Sequence, residues 1–147
     1  MTEQERLEKE AMDYFGYTGE PESSPAPAPE NKLAWADQLP YFTGTERWHR
    51  HWLGGVYTDG VAFLAEQAQA YWLIDLIESW QSKARVRKET FQKWTLKVDV
   101  GMRYGAAICD DGNGNQLCRQ KIPYTDFPLP EITLWRVNGV LMLPSEY

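Results

Sequence analysis

In FQKWTLKV, residues 91–98, the hydrophobic period of the chain becomes two. Trp94, Leu96 and Val98 fall on one side of an extended backbone, and Lys93, Thr95 and Lys97 on the other, because successive side chains of a strand alternate. The same pattern continues to the C-terminus. Tyr104–Cys109 and Leu117–Ile122 flank DDGNGNQ, and Ile132–Val137 and Val140–Leu143 flank Asn138-Gly139. Both separators are hairpin signals, since Asn-Gly pairs tolerate the positive φ angles of a tight two-residue turn.

Upstream of residue 90 the period is helical. Residues 33–39 suit a helical turn or two ended by Pro40. Thr58-Asp59-Gly60 offers two N-cap candidates for a helix whose apolar face is Val61, Leu64, Ala65 and Ala68. The next stripe, Trp72, Leu73, Leu76, Ile77 and Trp80, is out of phase with the first, which predicts a break near Gln69-Ala70. The expected fold is α+β, with N-terminal helices packed on a C-terminal antiparallel meander of four to five strands. Residues 32–147 form its single domain. Residues 1–15 read as a short acidic amphipathic helix, and 16–31, with four prolines, as a flexible linker.

The net charge of −6 comes from one end of the chain. Residues 1–31 hold eight acids and two bases, and the remaining 116 residues balance. An acidic nucleic-acid mimic needs its charge spread over a folded surface, so that class is disfavoured. No apolar run reaches the roughly 18 residues of a membrane span. The polar, acidic start MTEQERLEKE resembles no targeting peptide, and a cytoplasmic, soluble protein without membrane partners is expected.

FTGTERWHRHWLGGVYTDG, residues 42–60, gathers both histidines, two tryptophans, Glu46 and Asp59. His49 and His51, two apart, would share one side of a strand and could hold a metal together with Glu46 or Asp59. HxH alone is weak for that chemistry, and no metal or cofactor is expected. DDGNGN matches three early positions of a calcium loop, but Gln116 and Ile122 stand where its glycine and its bidentate glutamate belong. A hairpin with a two-residue Asn113-Gly114 turn would set Asp111 against Gln116 and Cys109 against Cys118. In a reducing compartment those two thiols are expected free.

Lys83, Arg85, Arg87 and Lys88 continue into Lys93, Lys97 and Arg103 as a basic run. It could bind phosphates, although such runs more often make a solvated face. The acidic N-terminal arm could fold back on it. Asp75 and Glu78 lie one turn apart on a polar helix face, where solubility is the plain explanation. Asp59 and Asp126 each follow a threonine, in YTDG and YTDFP, as turn and cap residues do.

Taken together, FTGTE, the Arg50-His51 pair, YTDG, AYWL-D and TDFPL resemble an uncharacterised family of small bacterial proteins, classed as a domain of unknown function. The likeness covers about residues 36–147 and implies no activity, cofactor or catalytic set. The expected function is non-enzymatic binding of a macromolecule, a protein in the first place. A mobile-element protein that modulates a host or defence complex would fit. Arg50, Trp52 and Trp72 are its candidate contacts, with Lys83, Arg85, Arg87, Lys88, Lys93 and Lys97 as a basic surface. One alternative is a small hydrolase-like enzyme in which His51 works with Asp59, Asp126 and Glu46 around Trp52 and Trp72. Another is nucleic-acid binding through residues 83–103.

Overall fold

The computed structural model describes residues 34–147. The acidic segment 1–15 and the linker 16–31 lie outside the described residues. The chain enters through a 3-10 helix, Ala34–Tyr41, which contains Pro40. Two short strands follow, β1 (His49–Arg50) and β2 (Val56–Tyr57). Then come the helices α1 (Asp59–Ala68) and α2 (Tyr71–Ser79), a 3-10 turn at Trp80–Ser82 and the single-turn α3 (Ala84–Arg87). Strands β3 (Phe91–Asp99), β4 (Tyr104–Asp110), β5 (Gln116–Ile122), β6 (Glu131–Val137) and β7 (Val140–Met142) complete the chain before a final 3-10 turn, Pro144–Glu146.

The break between α1 and α2 falls where the two apolar stripes change phase. Gln69 adopts a left-handed conformation, φ 53°, and its N–H closes α1 onto Ala65 and Glu66 carbonyls. Thr58 caps the other end, its Oγ1 accepting the Val61 N–H at 3.3 Å.

The seven strands of the described residues form one sheet in the order β1-β2-β7-β6-β3-β4-β5. This corrects the expected four- to five-stranded meander in two respects. Two strands precede the helices, and β6 returns to pair with β3 instead of extending the edge beyond β5. The β2–β7 pair is parallel, which joins the N-terminal hairpin to the C-terminal one. β1 and β2 were hidden from periodicity because two residues contain no alternation to read.

The turns differ as well. Asn138 and Gly139 both have positive φ, 51° and 86°, as a type I′ turn demands. In the β4–β5 hairpin only the glycines, Gly112 and Gly114, have positive φ, so Asn113-Gly114 is not such a turn. Asp111 shapes the loop instead, its carboxylate accepting the Asn113 N–H, the Asn115 N–H and the Asn115 amide. The pairing shifts there, with Asp110 opposite Gln116, yet Cys109 still faces Cys118. Both thiols are free, and burial first of all raises their pKa values above the ordinary thiol range.

The core lies between the helices and one face of the sheet. Trp94, Leu96 and Val98 of β3 meet Val61, Leu64, Leu73, Ile74 and Ile77 of the helices, with Phe127 from the β5–β6 loop as a further plug. Gln92 is fully buried in this face. Its amide donates to the carbonyls of Val86 and Glu89, and its Oε1 accepts the Trp94 indole N–H at 3.0 Å. A buried amide is tolerated there because its donors and acceptor are all engaged. No described helix is long and apolar enough to cross a membrane.

Candidate functional site

The loop that joins the first 3-10 helix to α1 is fastened by its own polar groups. Asp59 opens α1, and its carboxylate turns back toward the loop. Oδ2 accepts the backbone N–H groups of Glu46 and Arg47 at 3.0 and 3.3 Å. Oδ1 lies 2.9 Å from His49 Nε2, and the Asp59 N–H donates to Thr45 Oγ1. The His49 contact, followed by those backbone donors, holds the Asp59 carboxyl below the usual carboxylate range. His49 also stacks on Tyr57, with ring centroids 5.2 Å apart.

His51 sits two residues on and answers to a different carboxylate. It is buried, and its Nε2 lies 2.6 Å from Asp75 Oδ1 on α2. Its Nδ1 accepts the Leu53 N–H at 3.0 Å. An accepting Nδ1 carries its lone pair, so the ring proton lies on Nε2 and points at Asp75. Both nitrogens are therefore engaged within the protein. The backbone bonds His51 N–H to Gly55 and Gly54 N–H to His51 close the β1–β2 turn.

A second carboxylate anchors the same turn from below. Glu78 of α2 is buried and paired with Arg136 of β6 through two parallel bonds of 2.9 and 3.0 Å. Gly55 rests on that carboxylate so closely that a Cβ would run into it. This explains Gly55, the second glycine of HWLGG, and sequence periodicity gave no signal for the Glu78–Arg136 pair.

The residues of the hydrolase-like alternative are not brought together in this structure. His51 meets Asp75 and not Asp59, while Glu46 contributes only its backbone N–H to Asp59. Asp126 is exposed in the β5–β6 loop, beside Thr125, whose N–H bonds to Arg103 between β3 and β4. That position is three to four strand spacings from β2, roughly 14–19 Å at about 4.8 Å per strand. Trp72 packs on the core instead of lining a pocket with Trp52. Thr125 acts in its loop through its own hydroxyl, which accepts the Phe127 N–H.

The basic run is divided too. The Arg85 guanidinium caps the Leu117 carbonyl of β5, and Arg87 holds the carbonyls of Gln81 and Ser82. Lys83 and Lys88 are exposed beside them, whereas Lys93 and Lys97 lie on the opposite face of the sheet from the core.

What the fastened loop displays is aromatic. Trp48 is 62% exposed and Trp52 79%, with Leu53 at 45% and Arg47 and Arg50 exposed between them. Trp52 leans on the His51 ring at a centroid distance of 5.6 Å. These side chains cluster about β1, the edge strand of the sheet.

A family model described as a family of unknown function, DUF6876, matches residues 34–147. No curated protein and no solved structure matches the chain.

Proposed function

The chain belongs to the DUF6876 family, and from the geometry of its aromatic loop we propose that it is a non-enzymatic protein-binding domain. The observation that carries this reading is the exposure of Trp48 and Trp52 on a loop whose polar groups are engaged in holding it. Water-exposed tryptophans are unfavourable unless something covers them, and Trp with Arg dominates the energetics of protein interfaces. A preorganised loop also loses little conformational freedom on binding, which favours affinity. Arg47 and Arg50 fit a partner whose apolar groove is rimmed by carboxylates. Two unbonded, buried thiols facing each other across strands fit a reducing, cytoplasmic setting.

The test is affinity capture from extracts of the encoding cells, with wild-type protein and the Trp48→Ala/Trp52→Ala variant side by side. Because both side chains are exposed, the variant should unfold within about 1 kcal/mol of wild type. Specific partners should be depleted about tenfold or more, as loss of two interface anchors implies. Equal recovery of the same proteins by both would reject the loop as the contact surface.

A further inference from the structure

The outer face of the sheet bears a feature that lies beyond the reading just given. Lys97, Ala106 and Lys121 stand in register across β3, β4 and β5. The two lysines therefore flank a small residue at a separation of roughly 10 Å, two strand spacings. Arg119 lies two residues from Lys121 on the same face of β5, opposite Ile108. Lys97, Arg119 and Lys121 are exposed, and none forms an ion pair with another described residue. Together with Val100, Met102 and Tyr104 they line an open trough of about 1340 Å³. Of the two acids at its margin, Asp99 is turned into the β3–β4 connection, where it accepts the Met102 N–H at 2.9 Å, and Glu131 faces Lys97 across the strands.

We propose that this trough docks an acidic polypeptide, and that its resident occupant is the chain's own segment 1–15. Charge is the first argument. Five acids (Glu3, Glu5, Glu8, Glu10 and Asp13) face only Arg6 and Lys9 in that segment, and its Leu7, Tyr14 and Phe15 are apolar matches for Val100, Met102 and Tyr104. Reach is the second. Eighteen residues, 16–33, separate it from the described domain and can span up to about 59 Å at roughly 3.3 Å each. Seven strands extend about 29 Å in the pairing direction, so every part of the face is within range. A tether of that kind supplies an effective concentration of the order of 1 mM. A contact with an intrinsic Kd of about 0.1 mM would then be about nine-tenths occupied. Any acidic partner arriving at the trough must displace the segment, which makes the contact autoinhibitory.

Two forms of the 147-residue chain test this, wild type and the variant Glu3→Gln/Glu5→Gln/Glu8→Gln/Glu10→Gln/Asp13→Asn, which leaves every described residue intact. Amide resonances of Lys97, Ala106, Arg119 and Lys121 should differ between them, while those of Trp48 and Trp52 coincide. About 0.5 M salt should move the wild-type resonances toward the variant's. Coincident trough resonances, or changes confined to another face, would overturn the proposal. A labelled peptide of residues 1–15 should bind the neutralised variant about tenfold or more tightly than wild type, since the resident segment no longer competes. Adding Lys97→Glu/Arg119→Glu/Lys121→Glu should abolish that binding, and the resonance comparison stands even if this last variant folds poorly. Equal peptide affinity for wild type and the neutralised variant, or tighter binding of an oligothymidylate of about 15 nucleotides than of the peptide, would overturn it as well.

Discussion

Asp59 illustrates how a single carboxylate is committed. It receives two backbone N–H groups and a histidine ring, and its own N–H is held by Thr45. Of the two N-cap candidates in Thr58-Asp59, Thr58 performs that role and Asp59 clamps the preceding loop. Its lowered pKa has a stability consequence with a definite sign. A carboxyl depressed in the folded state stabilises the protein above its unfolded value, about 3.9, and that contribution is lost as pH falls through the folded value. Asp59→Asn should therefore be less stable than wild type at pH 7 in urea unfolding, and the difference should shrink below about pH 4. A gap that stays constant from pH 7 to pH 3 would mean that the carboxylate charge contributes nothing. The two histidines show the limit of spacing as evidence. HxH suggested a shared task, yet each ring meets its own carboxylate, one of them 24 residues further along the chain on α2.

At the scale of elements, α2 and β6 are joined by the Glu78–Arg136 pair under the β1–β2 turn. Removing one member of a buried pair leaves the other charge desolvated and alone, at a cost of about 3–5 kcal/mol. Glu78→Ala should destabilise by that order, and Glu78→Met/Arg136→Met should recover much of the loss. A double variant as unstable as the sum of its singles would show no coupling between the two charges and would contradict this. The long elements were legible in the sequence because each supplies several turns of a period. The α1–α2 break was legible from phase. Glu78 was not, since periodicity cannot say which polar residue of a helix meets a buried partner. The fastening of residues 45–59 was illegible for a related reason, its bonds spanning 10 to 24 residues without a local pattern.

On the scale of the whole molecule, the C-terminal 3-10 turn meets the start of α1. Glu146 accepts the Thr58 hydroxyl at 2.6 Å, the Gly60 N–H at 3.1 Å and the Leu143 N–H at 2.9 Å. A carboxylate beside the first turn of a helix also complements its dipole. Gly60 packs closely there, since a Cβ would displace the side-chain ends of Glu146 and Leu143. Glu146→Ala should cost about 1–3 kcal/mol and lower the Tm, and an unchanged Tm would remove Glu146 from this role. The parallel β2–β7 pair and this carboxylate together set the aromatic loop against the sheet edge. The bonds that fasten this loop make it a rigid platform. Amide hydrogen exchange tests it most directly at Glu46, Arg47, Leu53 and Asp59, whose N–H groups all donate to side chains of the clamp. Protection of about a hundredfold or more is expected at all four, lost at Glu46 and Arg47 in Asp59→Ala; exchange at unfolded-chain rates in the wild type would rule out a rigid loop.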